Sequence, residues 1–168
     1  MEKEGKPTII KSLEQQLETI IEIEGKKIKL HGKADRIDNI GSLHRIVDYK
    51  TGKAEDKELK LIEFSELKNE ARLAKSFQLL MYAWMYQKMQ PAITGNIVSG
   101  IITFRELSAG LKTVKINNNE MLDVSVLNKF EEQLKEILSE IFDPETEFSQ
   151  SPDTDNCTYC AFKGICNR

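Results

Sequence analysis

Two charged strings sit inside stretches that otherwise alternate like strands: Gly32-Lys33-Ala34-Asp35-Arg36-Ile37-Asp38 and Ile46-Val47-Asp48-Tyr49-Lys50-Thr51-Gly52. A carboxylate inside an apolar strand costs several kcal/mol unless a partner compensates it, and a bound cation is one such partner. Side chains alternate along a strand, so Asp48 and Lys50 share a face while Tyr49 points the other way. A tight hairpin between the strings returns Asp35 beside Asp48. Two carboxylates and an ammonium group then converge, which restricts the chain to a sheet built around that meeting point.

The surrounding pattern supplies such a sheet. Apolar residues around Ile20 to Ile23, a turn at Gly25-Lys26, and Ile28, Leu30, Ala34 and Ile37 read as paired strands. The turn Asn39 to Ser42 leads into a third strand, Leu43 to Tyr49, so three antiparallel strands are expected from Leu17 to Lys50. Thr8 to Gln16 fits either a helical turn or the lead-in to the first strand. Residues 52 to 65 carry many charges and predict an exposed loop bordering the site. Leu73, Phe77, Leu80, Met81, Trp84 and Met85 recur at helical spacing within Glu66 to Met89, and Pro91 stops that helix. A buried strand over Ile97 to Phe104, a hairpin partner over Leu111 to Ile116 and a second helix over Met121 to Phe142 complete the core.

The chain has 168 residues, enough for one domain with an ordinary core. Residues 1–144 are expected to form that core, with 145–168 as a cysteine-containing tail of the same domain. The net charge of −3 excludes a global positive field, so any nucleic-acid contact must rest on local groups. No apolar run is long enough to span a bilayer, and the charged start lacks the apolar stretch of a signal peptide. The expectation is a soluble, cytoplasmic protein with no membrane partner.

The converging group suits phosphodiester hydrolysis. Asp35, Asp48 and the main-chain carbonyl of Tyr49 offer hard oxygen ligands for Mg²⁺ or Mn²⁺. Such an ion activates water and offsets charge developing at phosphorus. Lys50 then orients the water, helps deprotonate it or stabilises that charge, and the three roles remain open here.

The two strings resemble the motifs of the PD-(D/E)XK nucleases, in particular the RecB-like branch that includes the AddB C-terminal nuclease domain. The resemblance runs from about Leu13 to Tyr82 and resumes in the tail. It implies an α/β (α+β) fold with a restriction-endonuclease-like core, in which a central mixed sheet with an antiparallel meander is flanked by helices. It implies a deoxyribonuclease, more an exonuclease than an endonuclease, acting on DNA delivered by a helicase region or subunit during double-strand-break repair and recombination. Gln78 and Tyr82, four apart on one helical face, resemble the family's Q-x-x-x-Y motif and join Asp35, Asp48 and Lys50 as catalytic candidates. As the counterpart of an acid that family members carry before the meander, Glu14 is a further metal-ligand candidate, with Glu18 or a plain surface role as the competing readings. No histidine precedes His31, and His31 and His44 read as ordinary surface residues.

All three cysteines, Cys157, Cys160 and Cys166, lie in the tail as C-x2-C-x5-C. This resembles the iron–sulfur staple of AddB-type domains, whose [4Fe–4S] cluster takes a fourth thiolate from far upstream. That cysteine, and the upstream histidine that family members contribute to the metal site, would both lie before Met1. The chain is therefore expected to be a C-terminal fragment of a longer helicase-nuclease, a natural short form being the alternative. With three thiolates, an intact cluster is not expected in this fragment, which leaves zinc or unmetallated thiols. The competing functional class is a non-catalytic DNA-end or protein-binding module with an inherited nuclease fold.

Overall fold

The computed structural model describes residues 6–93, 96–147, 157–158 and 160–165. Two long strands, β1 (Thr8–Ile23) and β2 (Lys26–Ile40), form an antiparallel pair, and β3 (Leu43–Lys50) pairs with β2. Thr8 to Gln16 is thus strand, its backbone paired with β2 along almost its whole length. The first turn, Glu24-Gly25, has positive φ at both residues (50° and 77°), the geometry that lets a two-residue turn follow the twist of its strands. In the second turn Gly41 alone has positive φ, at 61°.

After β3 the chain crosses over and returns as β5 (Ile97–Thr103), which lies parallel to β3 with Asp48 opposite Ile101 and Lys50 opposite Thr103. Parallel neighbours need such a crossover, and here it carries helices. The short β6 (Lys112–Thr113) closes the order β1-β2-β3-β5-β6, antiparallel to β5. The expected hairpin after β5 is only partly present. A 3-10 segment over Phe104–Ala109 intervenes, and β7 (Lys115–Ile116) leaves the main sheet to pair with β4 (Lys60–Leu61).

That pairing corrects the reading of residues 52 to 65 as plain exposed loop, because Ala54, Leu59 and Leu61 are buried beneath the charged residues. The single helix expected from Glu66 is also broken, into α1 (Glu66–Asn69), a 3-10 turn over Ala71–Leu73 and α2 (Ala74–Met89). The corner is tied locally. Glu66 accepts the N–H groups of Ile62 and Glu63 at 2.7 and 2.8 Å, and Arg72 reaches back to the carbonyl of Lys57 and the carboxylate of Glu70. These side-chain bonds compete with helix continuation.

The second long helix, α3 (Val124–Phe142), starts three residues later than expected, where Asp123 accepts the N–H of Val126 at 2.9 Å as an N-cap. Leu79, Leu80, Trp84 and Met85 of α2 fill the space between the sheet residues Leu17, Ile37, Ile46 and Ile101 and the α3 residues Leu127, Phe130 and Leu134. Helices therefore flank a central mixed sheet. Among the described residues no helix is long and apolar enough to cross a membrane.

Candidate active site

The inward apolar positions of β2 run Ile28, Leu30 and Ala34, then change phase to Ile37. Asp35 lies at that slip. The β2–β3 ladder ends at Arg36 opposite Val47, and beyond it the Asp35 carboxylate itself accepts the N–H of Tyr49 at 2.7 Å. A side chain thus replaces the next backbone partner, holding Asp35 beside the Asp48–Lys50 segment.

Asp48 is almost wholly buried, and its Oδ2 lies 3.0 Å from the Lys50 ammonium. That contact is an ion pair at the buried end of the carboxylate. Burial raises the Asp48 pKa above its ordinary value. Lys50 pulls it down, and the Asp35 charge adds to the rise. The group is held partly against its own ionisation, a state that a cation beside both carboxylates relieves.

Helix α2 runs antiparallel to β3 over the same face. Lys50 donates to Gln78 Oε1 at 3.1 Å, and Gln78 Nε2 donates to the Tyr82 hydroxyl at 2.8 Å. One turn on, the Tyr86 hydroxyl meets His44 Nδ1 at 3.2 Å. His44 is therefore not an ordinary surface residue. It is half-buried, and burial followed by the charge of Lys11 lowers its pKa. The structure brings together Asp35, Asp48, Lys50, Gln78 and Tyr82 as one connected group, because residues spaced by four on α2 meet residues spaced by two on β3.

Glu14 does not join that group. Its neighbours Leu13 and Gln15 pair with Arg36 and Ala34, which brackets it beside Asp35, and its backbone takes a positive φ of 52°. Yet its exposed carboxylate pairs with Lys33 and raises the pKa of that lysine. Glu18 pairs with Lys29 at 2.8 Å, also at the surface. His31 is exposed. In the tail, Cys157 and Cys160 are half-buried, and Cys160 Sγ accepts the N–H of Phe162 at 3.4 Å. Cys166 lies outside the described residues.

Several residues with a part in this arrangement were not singled out from sequence. On the reverse face of the sheet, fully buried Asp38 sits between Arg36 Nε at 2.8 Å and Arg45 Nε at 2.5 Å. Arg36 also donates to the Tyr49 hydroxyl and lies over its ring, with 5.4 Å from the guanidinium carbon to the centroid. The signal for Asp38 was present as a second carboxylate in the same strand, but on the opposite face from Asp35. Gly32 is another. A methyl group there would meet Tyr82 Cε1 at 2.9 Å and Met85 Cε at 3.0 Å, so glycine allows α2 to approach the sheet. Gly32→Ala is expected to push Tyr82 outward and loosen the Lys50–Gln78–Tyr82 chain. Such displacements cost up to ~100-fold in rate, and here turnover should fall more than metal affinity, measured as cleavage rate against metal-induced thermal shift.

Among the described residues no three His, Cys, Asp or Glu side chains gather round one point. The oxygen donors available for a divalent ion are the two carboxylates, Asp35 and Asp48, with main-chain carbonyl groups beside them. Their hard-oxygen chemistry and the burial of the Asp48 carboxylate fit Mg²⁺ or Mn²⁺.

A mixed sheet with an acid pair and a lysine on one face, backed by a helical glutamine and tyrosine, is the scaffold of restriction-endonuclease-like nucleases. The chain belongs to the PD-(D/E)XK nuclease superfamily, whose family model matches residues 2–167. Members of that superfamily are in general nucleases and typically use divalent metals. Comparison with curated proteins found no match. A solved structure titled "Crystal structure of SSO0001" aligns at 20% identity and a TM-score of 0.44, over 92% of this chain and 59% of that one. The chain thus spans less than two thirds of that protein.

Proposed function

We propose that this chain is a Mg²⁺- or Mn²⁺-dependent deoxyribonuclease in which Asp35, Asp48 and the carbonyl of Tyr49 hold the metal and Lys50 acts beside it. The observation that carries this reading is the buried Asp48 carboxylate, with Asp35 held close and the Lys50 ammonium 3.0 Å from its Oδ2. When bound, the ion lowers the pKa of a coordinated water and offsets charge on the phosphate. The residues of the chain supply the rest. Tyr49 N–H fixes the Asp35 carboxylate, and Gln78 holds the Lys50 ammonium where it meets both Asp48 and the reacting phosphate. Tyr82 supports Gln78 from the next turn of α2.

The two sequence strings further support a RecB-like or AddB-like setting, with an exonuclease working on strands supplied by a helicase region in double-strand-break repair. In that setting the tail cysteines serve an iron–sulfur cluster together with a fourth ligand. Residues 1–144 then form the nuclease core, with 145–168 as its closing tail.

Metal removal tests the enzymatic reading. Labelled DNA is expected to be degraded in Mn²⁺ or Mg²⁺ and left intact in excess EDTA, with activity returning on readdition of the metal. Cutting that persists in EDTA refutes metal dependence, whereas DNA that is bound but never cut in either metal supports the binding module instead.

A further inference from the structure

The catalytic candidates do not account for an aromatic column on the reverse face of the sheet. Phe104 is 56% exposed, yet its ring stacks in a parallel, offset arrangement with Tyr49, with centroids 5.7 Å apart and planes 5° from parallel. Tyr49 is also held by the Arg36 guanidinium, which donates to its hydroxyl, and Arg36 is held by buried Asp38. The exposed ring therefore rests on a rigid stack rooted in a buried ion cluster. A preformed aromatic surface of this kind lowers the ordering cost of a ligand that stacks on it.

Its position relates it to the candidate active site. Thr103 is the register partner of Lys50, and Phe104 is the next residue. Strand spacing and rise put the Phe104 Cα about 6 Å from that of Lys50, with the two side chains on opposite faces at the same end of the sheet. Exposed Arg105 follows directly. Lys112 binds the carbonyl of Ala54 at 3.0 Å and Glu106 at 2.5 Å, so it ties the loop bearing exposed Lys53 to the segment bearing Phe104. Among the described residues neither Arg105, next to Phe104 in sequence, nor Lys53, on the loop that Lys112 ties to this segment, forms an ion pair.

We propose that Phe104, backed by Tyr49, is a stacking platform for an unpaired base of single-stranded DNA that crosses the ends of β3 and β5 on its way to Asp35, Asp48 and Lys50. The choice of polymer rests on the nuclease reading. The choice of a single strand rests on the geometry, because duplex base faces are already covered by their neighbours and an unpaired base offers a free face. Aromatic surface flanked by basic side chains is the combination that holds single strands, the ring taking the base and the cations the backbone.

The test measures binding of the full chain to a fluorescein-labelled thymidine oligonucleotide by anisotropy in EDTA, where no cleavage intervenes. Phe104→Ala is expected to weaken single-strand binding roughly 5- to 100-fold, Phe104→Trp to restore it, and a blunt duplex to show no more than a twofold change. Thermal melts of the variants should match the parent, since the ring is largely exposed. Equal affinity of Phe104→Ala and parent for the single strand overturns the proposal. So does an equal loss on single strand and duplex, or a parent that does not bind the oligonucleotide. Cleavage in Mn²⁺ is scored separately. Cutting that survives with affinity insensitive to Phe104 overturns the platform alone, and Phe104-dependent binding without any cutting overturns the enzymatic reading alone.

Discussion

Asp48→Asn is expected to abolish metal-dependent cleavage, a loss of about 10³-fold or more, while making the metal-free protein more stable. Both halves follow from the same burial. In the parent, Asp48 is shielded from water and faces Asp35, so its pKa is raised above the ordinary carboxylate value. A carboxylate with a raised folded pKa costs stability once ionised, so the metal-free fold weakens as pH climbs through the carboxylate range and stays weakened above it. Asparagine keeps the shape without the charge and removes that cost, a trade of stability against function. A divalent ion reverses the parent's disadvantage. At a hundredfold excess over its dissociation constant it should raise the parent Tm by about 5–10 °C and leave Asp48→Asn unmoved. Thermal melts at pH 5 and 8, with and without Mn²⁺, read all of this without DNA. A variant that still cuts, or one whose Tm rises with Mn²⁺ as the parent's does, removes Asp48 from the metal site.

The second large effect is structural. Asp38→Ala leaves the Arg36 and Arg45 guanidinium groups facing each other with no carboxylate between them, and breaking a buried ion cluster from one side costs about 3–5 kcal/mol. That corresponds to a drop in Tm of roughly 6–20 °C. Both arginines keep some access to solvent and turn partly outward, which favours the lower end of the range. Asp38→Asn retains hydrogen-bond acceptors and should lose less. Chemical denaturation of the three proteins ranks them, and a loss under about 1 kcal/mol for Asp38→Ala shows that the cluster behaves as an ordinary surface pair. The release of Arg36 also frees the Tyr49 ring, so the same variant should weaken the stacked column described above.

How far the site was legible in the sequence depended on the range of each interaction. Alternation along a strand needs only neighbours, and it was enough to put Asp48 and Lys50 on one face. The motif strings pointed to Gln78 and Tyr82, but pattern alone did not bring them to Lys50. Their contact depends on the direction of α2 across the sheet, which Gly32 permits by leaving room for Tyr82. The break between α1 and α2 was hidden for a related reason. Apolar spacing over Glu66 to Met89 is continuous, and the bonds that bend the corner involve Glu66 and Arg72 with backbone groups well outside that helical pattern.

By itself, the sequence determined the local elements: a meander turned near Gly25 and Gly41, the helical stretch that ends at Phe142, and charged residues placed at odd and even positions of strands. Only the tertiary structure decided which of those charges meet. The phase slip between Ala34 and Ile37 sets Asp35 toward Tyr49 and Asp38 toward the two arginines, and the β3–β5 register brings Phe104 within a residue of the partner of Lys50. Periodicity is a property of a few adjacent residues, whereas convergence depends on twist, register and packing summed over the whole sheet, and no short window of sequence contains those.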